Sequence, residues 1–169
     1  MENQRPIASE NIEVTVYTDG AASGNPGPGG YGIVLMSNGH QKELSGGFAH
    51  TTNNRMELMA VIVALETLKY DHCRVQVFTD SSYVVDAVEK GWLAQWERTA
   101  FKKKKNVDLW RRFLNIYRKH HVRFHWVKGH AGHPLNERCD RLAVAASMQP
   151  KLPEDTGYAL GSKENDSLF

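Results

Sequence analysis

"IEVTVYTDGAASGNPGPGGYGIVLMSNGHQKELSGGFA", residues 12–49, is the stretch whose reading decides the fold. "IEVTVYTD" alternates β-branched residues with others at period two, which predicts a strand over residues 12–19 that ends on Asp19. "YGIVLMS" predicts a second strand, and Asn38-Gly39 is the strongest short signal for a tight hairpin turn, leading here into a third, "QKELSGGFA". The chain therefore opens with three antiparallel strands. Between Tyr17 and Gly32 stand six glycines and two prolines. So much free backbone costs ordering entropy, and its presence implies a loop that something must approach closely.

Outward from this meander, strands and helices alternate. "TTNNRMELMAVIVALETLKY" carries cap residues at Thr52, Asn53 and Asn54 and an apolar stripe through Met56, Met59, Val63 and Leu68, so a helix is expected. "RVQVFTD" predicts a fourth strand ending on Asp80, followed by a short helix in "SSYVVDAVEKG". A further helix is expected from Val107 to Lys119, a fifth strand in "VRFHWVKGH" and a last helix in "LNERCDRLAVAASM". Such an order predicts an α/β domain, a mixed five-stranded sheet covered by helices. Residues 1–11 read as an N-terminal extension and residues 12–148 as the domain. Residues 149–169 lack periodicity and read as a flexible tail.

Composition narrows the class. With 169 residues and a net charge of +2, the chain has the make-up of one soluble globular domain, and no apolar run has the length of a membrane span. The N-terminus lacks the basic-then-apolar pattern of a signal peptide, so a cytoplasmic location is expected; the chain is also expected to be a monomer. Cys73 and Cys139, the two cysteines, have no zinc-site spacing and predict no disulfide. Charge is unevenly spread. From Lys90 to Lys128 there are 12 Lys or Arg against two acids, a surplus of +10, whereas the rest holds nine basic and 17 acidic residues. Such a segment is either an electrostatic footprint for a polyanion or a solvated helix face.

Four carboxylates occupy positions where a solvated acid is an odd choice. Asp19 and Asp80 end strands, Glu57 lies between Met56 and Met59, and Asp140 shares a helix face with Asn136 and Glu137. If the first and fourth strands are parallel neighbours joined by the helical crossover, Asp19 and Asp80 meet at one edge of the sheet. Each acid alone is explained by capping, or by pairing with a base such as Arg55. Crowded together they repel unless a cation neutralises them, and hard oxygen donors suit Mg2+ or Mn2+ rather than zinc. Two such ions activate a water and stabilise the leaving oxygen of a phosphodiester. His130, in the Gly-rich loop "VKGHAGHPLNE", is placed to shuttle a proton or assist product release. The competing reading is a zinc site made of His130, His133 and Cys139.

"YTDGAASGNPGPGGYG", "TTNNRMEL", "TDSSYV", "DLW" and "WVKGHAGHPLNERCDRLA", in that order from Ile12 to Met148, resemble ribonuclease H of type 1, the bacterial form. The resemblance implies a three-layer ribonuclease H-like fold and endonucleolytic cleavage of the RNA strand of RNA–DNA hybrids, giving 3′-hydroxyl and 5′-phosphate ends. It implies Asp19, Glu57, Asp80 and Asp140 as ligands of two Mg2+ ions bound with substrate, Mn2+ being the alternative, and His130 as the loop histidine that assists turnover. It further implies that Gly20, Ala21, Ala22 and Asn25, with Asn53 and Asn54, face the minor groove of the hybrid. Thr52 and the helix N-terminus would hold a phosphate.

The resemblance also implies Ser82 on the same contact surface; it and Ala22 stand where other members often carry larger polar groups or a cysteine. The Trp-rich basic segment, with Trp92, Trp96 and Lys102, Lys103, Lys104 and Lys105, resembles the protrusion that grips the DNA strand. The stretch from Trp96 to Asn106 is shorter here than is usual, with "FKKKKN" in place of a longer loop, and Trp110 is expected to be buried packing. Alternatives are a hybrid-binding module with weak catalysis and a DNA nuclease or strand-transfer enzyme of the same fold. The ending "NDSLF" is similar to motifs that dock on the bacterial sliding clamp, with Leu168 and Phe169 as anchors and Asn165 where glutamine is usual.

Overall fold

A computed structural model describes residues 12–129 and 132–166. The elements follow as β1 (Glu13–Ala22), β2 (Gly27–Ser37), β3 (His40–Thr51), α1 (Asn53–Thr67), β4 (Arg74–Thr79), α2 (Ser82–Glu89), α3 (Trp92–Arg98), α4 (Val107–Tyr117), β5 (His121–Trp126), α5 (Pro134–Ser147) and α6 (Thr156–Asp166). The sheet order is β3-β2-β1-β4-β5. β1, β2 and β3 form the expected antiparallel meander, and β4 and β5 add parallel to β1. The β2–β3 turn is the tight one that Asn-Gly predicts, with left-handed φ of 53° at Asn38 and 78° at Gly39. Among the described residues no helix is long and apolar enough to cross a membrane.

The glycine-rich segment is less of a loop than the sequence suggests. β1 runs on to Ala22 and β2 starts at Gly27, so only four residues separate the two strands. The glycines are needed because helices lie directly on the sheet. A Cβ on Gly32 would enter the Cys139 carbonyl and the Leu142 side chain, and one on Gly30 would meet Ala143, both from α5. On the neighbouring strand a Cβ on Gly20 would strike the backbone of Met56 and Glu57 in α1. Since successive strand residues face opposite sides, α5 and α1 cover opposite faces, giving three layers.

α1 is buried almost all round rather than along one stripe: Met56, Leu58, Met59, Ala60, Val61, Ile62, Ala64 and Leu65 are all inside, while Val63 and Leu68 are only partly covered. It lies between the sheet and α4, so it has no solvated face to advertise a period. Trp110 on α4 is fully buried, as expected, with Phe113 edge-on to it at 5.6 Å between centroids. α4 ends at Tyr117, two residues short of the expected Lys119.

The C-terminal region departs most from expectation. Where the sequence reads as a flexible tail, the Ala49 amide donates to the Pro153 carbonyl (2.8 Å), Asp155 is buried, and α6 follows. Asp155 caps that helix, accepting from the Tyr158 amide at 3.3 Å. This segment is held by polar contacts rather than an apolar stripe, which is why periodicity missed it. Residues 1–11, His130 and Ala131, and the anchors Leu168 and Phe169 lie outside the described residues.

Replacing Gly32 with alanine is expected to cost about 1–3 kcal/mol by lifting α5 from the sheet. Urea denaturation of the variant and its parent measures this; a cost near zero would mean that the close contact with Cys139 is not required.

Candidate active site

β1 and β4 pair in parallel only as far as Tyr17 and Phe78. Asp19 and Asp80 each stand two residues beyond that last pair, side by side where the strands part. Glu57 reaches the same place from the first turns of α1, whose start is fixed by Thr52: its side chain accepts from the Arg55 amide (3.3 Å). Ligand oxygens of Asp19, Glu57 and Asp80 lie within 4.8 Å of one another. Asp140, from α5, lines the same cavity and adds its charge to that felt by Asp19, but stands outside this group of three.

The cavity has a volume of about 350 Å3. Of the expected contact residues, Gly20, Ala21, Ala22, Asn53, Asn54 and Ser82 line it with the four acids. Asn25 and Thr52 do not, and they position the wall instead. Asn25 Oδ1 accepts from the Asn53 amide (3.0 Å), and Asn53 Oδ1 accepts from the Ala22 amide (2.5 Å), so the β1–β2 turn is latched to the start of α1. Ser81 and Tyr83 line the cavity too and were not singled out from the sequence. They stand in "TDSSYV", the motif that carries Asp80, and that adjacency was the signal available. Ser81 caps α2 through the Val84 amide (3.3 Å), and the Tyr83 hydroxyl accepts from Trp110 Nε1 (2.9 Å) and Asn106 Nδ2 (3.0 Å).

Burial and like charge set the electrostatics. Asp19 is pushed up to about 8, first by burial and then by the charges of Asp80 and Asp140, against the opposing bond from the Gly20 amide (2.9 Å). Glu57 is raised well above the ordinary range by burial and then by Asp19 and Asp80. Arg55 offers no relief. Its guanidinium is turned to Asp108 and Asp155 rather than to Glu57. Glu57 Oε2 is buried without a hydrogen-bond partner. An oxygen-only, anionic cluster with an orphaned carboxylate oxygen fits a hard divalent ion. Cys139 does not fit zinc. Burial pushes its thiol up to about 12, and its Sγ donates to the Tyr17 carbonyl at 3.2 Å.

The basic segment stands apart from the cavity. Trp92 is 41% exposed, with Lys90 Nζ 5.1 Å from its ring centroid. Trp96 packs edge-on to Trp110 at 5.8 Å and carries Lys104 Nζ at 5.1 Å from its centroid. Buried Phe101 anchors the loop that presents Lys102, Lys103, Lys104 and Lys105 to solvent. Asn106 ties the end of this loop to Tyr83 and so to the cavity wall.

The RNase H family model matches residues 11–148. The chain belongs to the ribonuclease H family. It is 61% identical over 148 residues to the ribonuclease H of Desulforamulus reducens, spanning 85% of this chain and 92% of that one. With the ribonuclease H of Escherichia coli O127:H6 it shares 56% over 151 residues, 86% and 96% of the two chains. Among solved structures, LC9-RNase H1, a type 1 RNase H with the type 2 active-site motif, superposes with a TM-score of 0.75 at 33% identity, covering 83% of this chain and 74% of that one. LC11-RNase H1 in complex with RNA/DNA hybrid gives 0.61 at 29%, covering 79% and 95%. Membership makes the chain a nuclease of the hydrolase class, with the metal dependence general to the family.

Asp19 holds its proton more tightly folded than unfolded. In chelator its contribution to stability is therefore full below the ordinary carboxylate range and is lost as pH rises through about 8. Asp19→Asn removes that titration. The variant is expected to be more stable than its parent at pH 8 without metal, by roughly 1–2 kcal/mol, with a flatter stability profile between about pH 4 and 8. Chemical denaturation across this range measures it; a less stable variant would mean that the acids are not crowded.

Proposed function

We propose that the chain hydrolyses the RNA strand of RNA–DNA hybrids by two-metal-ion catalysis, leaving 3′-hydroxyl and 5′-phosphate ends. The observation that carries this reading is the trio of buried Asp19 and half-buried Glu57 and Asp80, whose oxygens converge within 4.8 Å at the end of a parallel strand pair. Bound Mg2+, or Mn2+ in its place, supplies charge neutralisation, an activated water and stabilisation of the leaving oxygen. Asp19, Glu57, Asp80 and Asp140 would hold it. Water adds to the scissile phosphorus and the bond to the 3′-oxygen breaks, the proton for that oxygen passing by way of the loop residue His130.

Recognition in this reading belongs to the backbone and short side chains around the cavity. Gly20, Ala21, Ala22, Asn53 and Asn54 present small polar groups where a bulky side chain would hold a 2′-hydroxyl-bearing groove away. Asn25 supports Asn53, and Thr52 with the start of α1 suits a backbone phosphate. Ser82 borders the metal end, while Trp92, Trp96 and the four lysines take the DNA strand. The structure of a relative, LC11-RNase H1, with an RNA/DNA hybrid supports this substrate. The enzyme would act as a cytoplasmic monomer, with Leu168 and Phe169 as a contact for the sliding clamp.

Matched RNA–DNA, RNA–RNA and DNA–DNA duplexes, incubated with and without Mg2+, test the reading. Only the RNA strand of the hybrid is expected to be cut, with cleavage ending on addition of chelator. Comparable cutting of DNA duplex would favour a DNA nuclease of the same fold, and hybrid binding without cleavage would leave a binding module.

Alanine at Lys102, Lys103, Lys104 and Lys105 is expected to raise the Michaelis constant and flatten the salt dependence of binding, since each lost phosphate contact removes about 0.9 from the log–log slope on B-DNA. The rate at saturation should persist. A slope equal to the parent's would return these lysines to a solvated loop.

A further inference from the structure

The buried guanidinium of Arg55 lies inside the molecule at the start of α1, two residues before Glu57, and all of its donor groups are used. Nε and Nη2 donate to Asp155 (2.7 and 2.9 Å), and Nη1 and Nη2 donate to Asp108 (both 2.8 Å). Nη1 also reaches Asn106 Oδ1 at 3.4 Å. Arginine only donates, so this contact turns the Asn106 amide nitrogen toward the Tyr83 hydroxyl in the cavity wall.

Asp155 is as buried as its partner, with 4% exposure against 2% for Arg55. It does more than neutralise. Its Oδ2 also accepts from Thr51 Oγ1 at 2.7 Å, the residue that precedes the Thr52 cap of α1. One carboxylate thus grips both sides of the point where the chain leaves β3 and enters α1. The fit is tight: a Cβ on Gly157 would enter the Asp108 carboxylate and approach Arg55 Nη2 at 2.8 Å. Asp155 lies beyond residues 11–148, the part of the chain that the family model matches.

We propose that Asp155 is a positioning residue for the acid cavity: through Arg55 and Thr51 it fixes the first turn of α1, and with it Glu57, Asn53 and Asn54. This rests on the reading of Glu57 as a metal ligand and of the two asparagines as substrate contacts. Asp108 pairs with the same guanidinium but is half-exposed and does not touch Thr51, so it cannot replace the second grip.

The test uses the full chain with Asp155→Ala and Asp155→Asn, and Glu66→Ala as a control that removes the Arg112 ion pair at the far end of α1. Mn2+ binding is followed by titration calorimetry, and hybrid cleavage at temperatures well below each melting transition. Asp155→Ala is expected to weaken Mn2+ binding about tenfold, the loss typical when a group supporting a metal ligand is removed. It should raise the Michaelis constant for hybrid as well. Asp155→Asn keeps an oxygen for Thr51 and should fall between, while Glu66→Ala moves neither quantity. A folded Asp155→Ala with the parent's Mn2+ affinity and Michaelis constant but a lower melting temperature would overturn the proposal. If Asp155→Ala does not fold, Asp155→Asn takes its place, and the parent's Mn2+ affinity and Michaelis constant in that variant would overturn the proposal equally. A parent that binds Mn2+ but cleaves no hybrid would refute the functional reading alone, because the calorimetric comparison stands without cleavage.

Discussion

The parallel pairing of β1 with β4 is the constraint on which both the core and the cavity depend. Parallel neighbours cannot be joined by a hairpin, so the chain must cross the sheet, and the crossover here includes α1. That helix is then trapped between sheet and α4, which buries nine of its 15 residues. The same pairing stops at Tyr17 and Phe78, and the chain segments part with Asp19 within β1 and Asp80 just past the end of β4. The crossover brings the start of α1 back to this gap, so Glu57 arrives beside Asp19 and Asp80 as a consequence of topology. β1 is also the strand where the sheet changes from antiparallel to parallel neighbours, the place where open α/β sheets leave a crevice for ligands.

How much of this the sequence shows depends on whether the cause is local. Asp19 and Asp80 are legible because each ends a run of period two, and the Asn38-Gly39 turn because its backbone demands those residues. The glycines between Gly27 and Gly32 mislead because a glycine in a strand and a glycine in a loop look alike in one dimension. What requires Gly32 is the Cys139 carbonyl, more than 100 residues away. α6 is illegible for the same reason: Asp155 is fixed by Arg55 and Thr51, each at least 100 residues distant. Tyr83 and Asn106 appear as ordinary helix and loop residues until the fold brings them to one hydroxyl.

The molecule buries carboxylates in two ways, and the contrast separates scaffold from site. Asp155 is inside, yet its oxygens accept from Arg55, Thr51 and the Tyr158 amide, so removal from water is offset by charge-assisted bonds. Asp19 and Glu57 are also removed from water but face further acids, and Glu57 Oε2 has no hydrogen-bond partner at all. The one arginine within two residues of Glu57 serves the other network. A fold able to satisfy the buried Asp155 so fully through Arg55 leaves one oxygen of Glu57, two residues on, without a partner. Desolvated like charges of this kind are unfavourable for the metal-free fold, and they are tolerated where a cation and a phosphodiester supply the missing partners.

The two networks are also mechanically joined. Arg55 and Glu57 share a single turn of helix, so any tilt that relieves one displaces the other. Repulsion among the acids pushes Glu57 away from Asp19 and Asp80, and the bonds of Arg55 to Asp155 and Asp108 resist that push from behind. The close seat of Gly20 beneath Met56 and Glu57 resists it from the sheet side. With the helix held from both directions, the carboxylates stay converged in the metal-free chain, and the cation of the proposed reaction would require little rearrangement of it. Preorganisation of this sort spends folding stability in advance so that less binding energy is lost to ordering when metal and substrate enter.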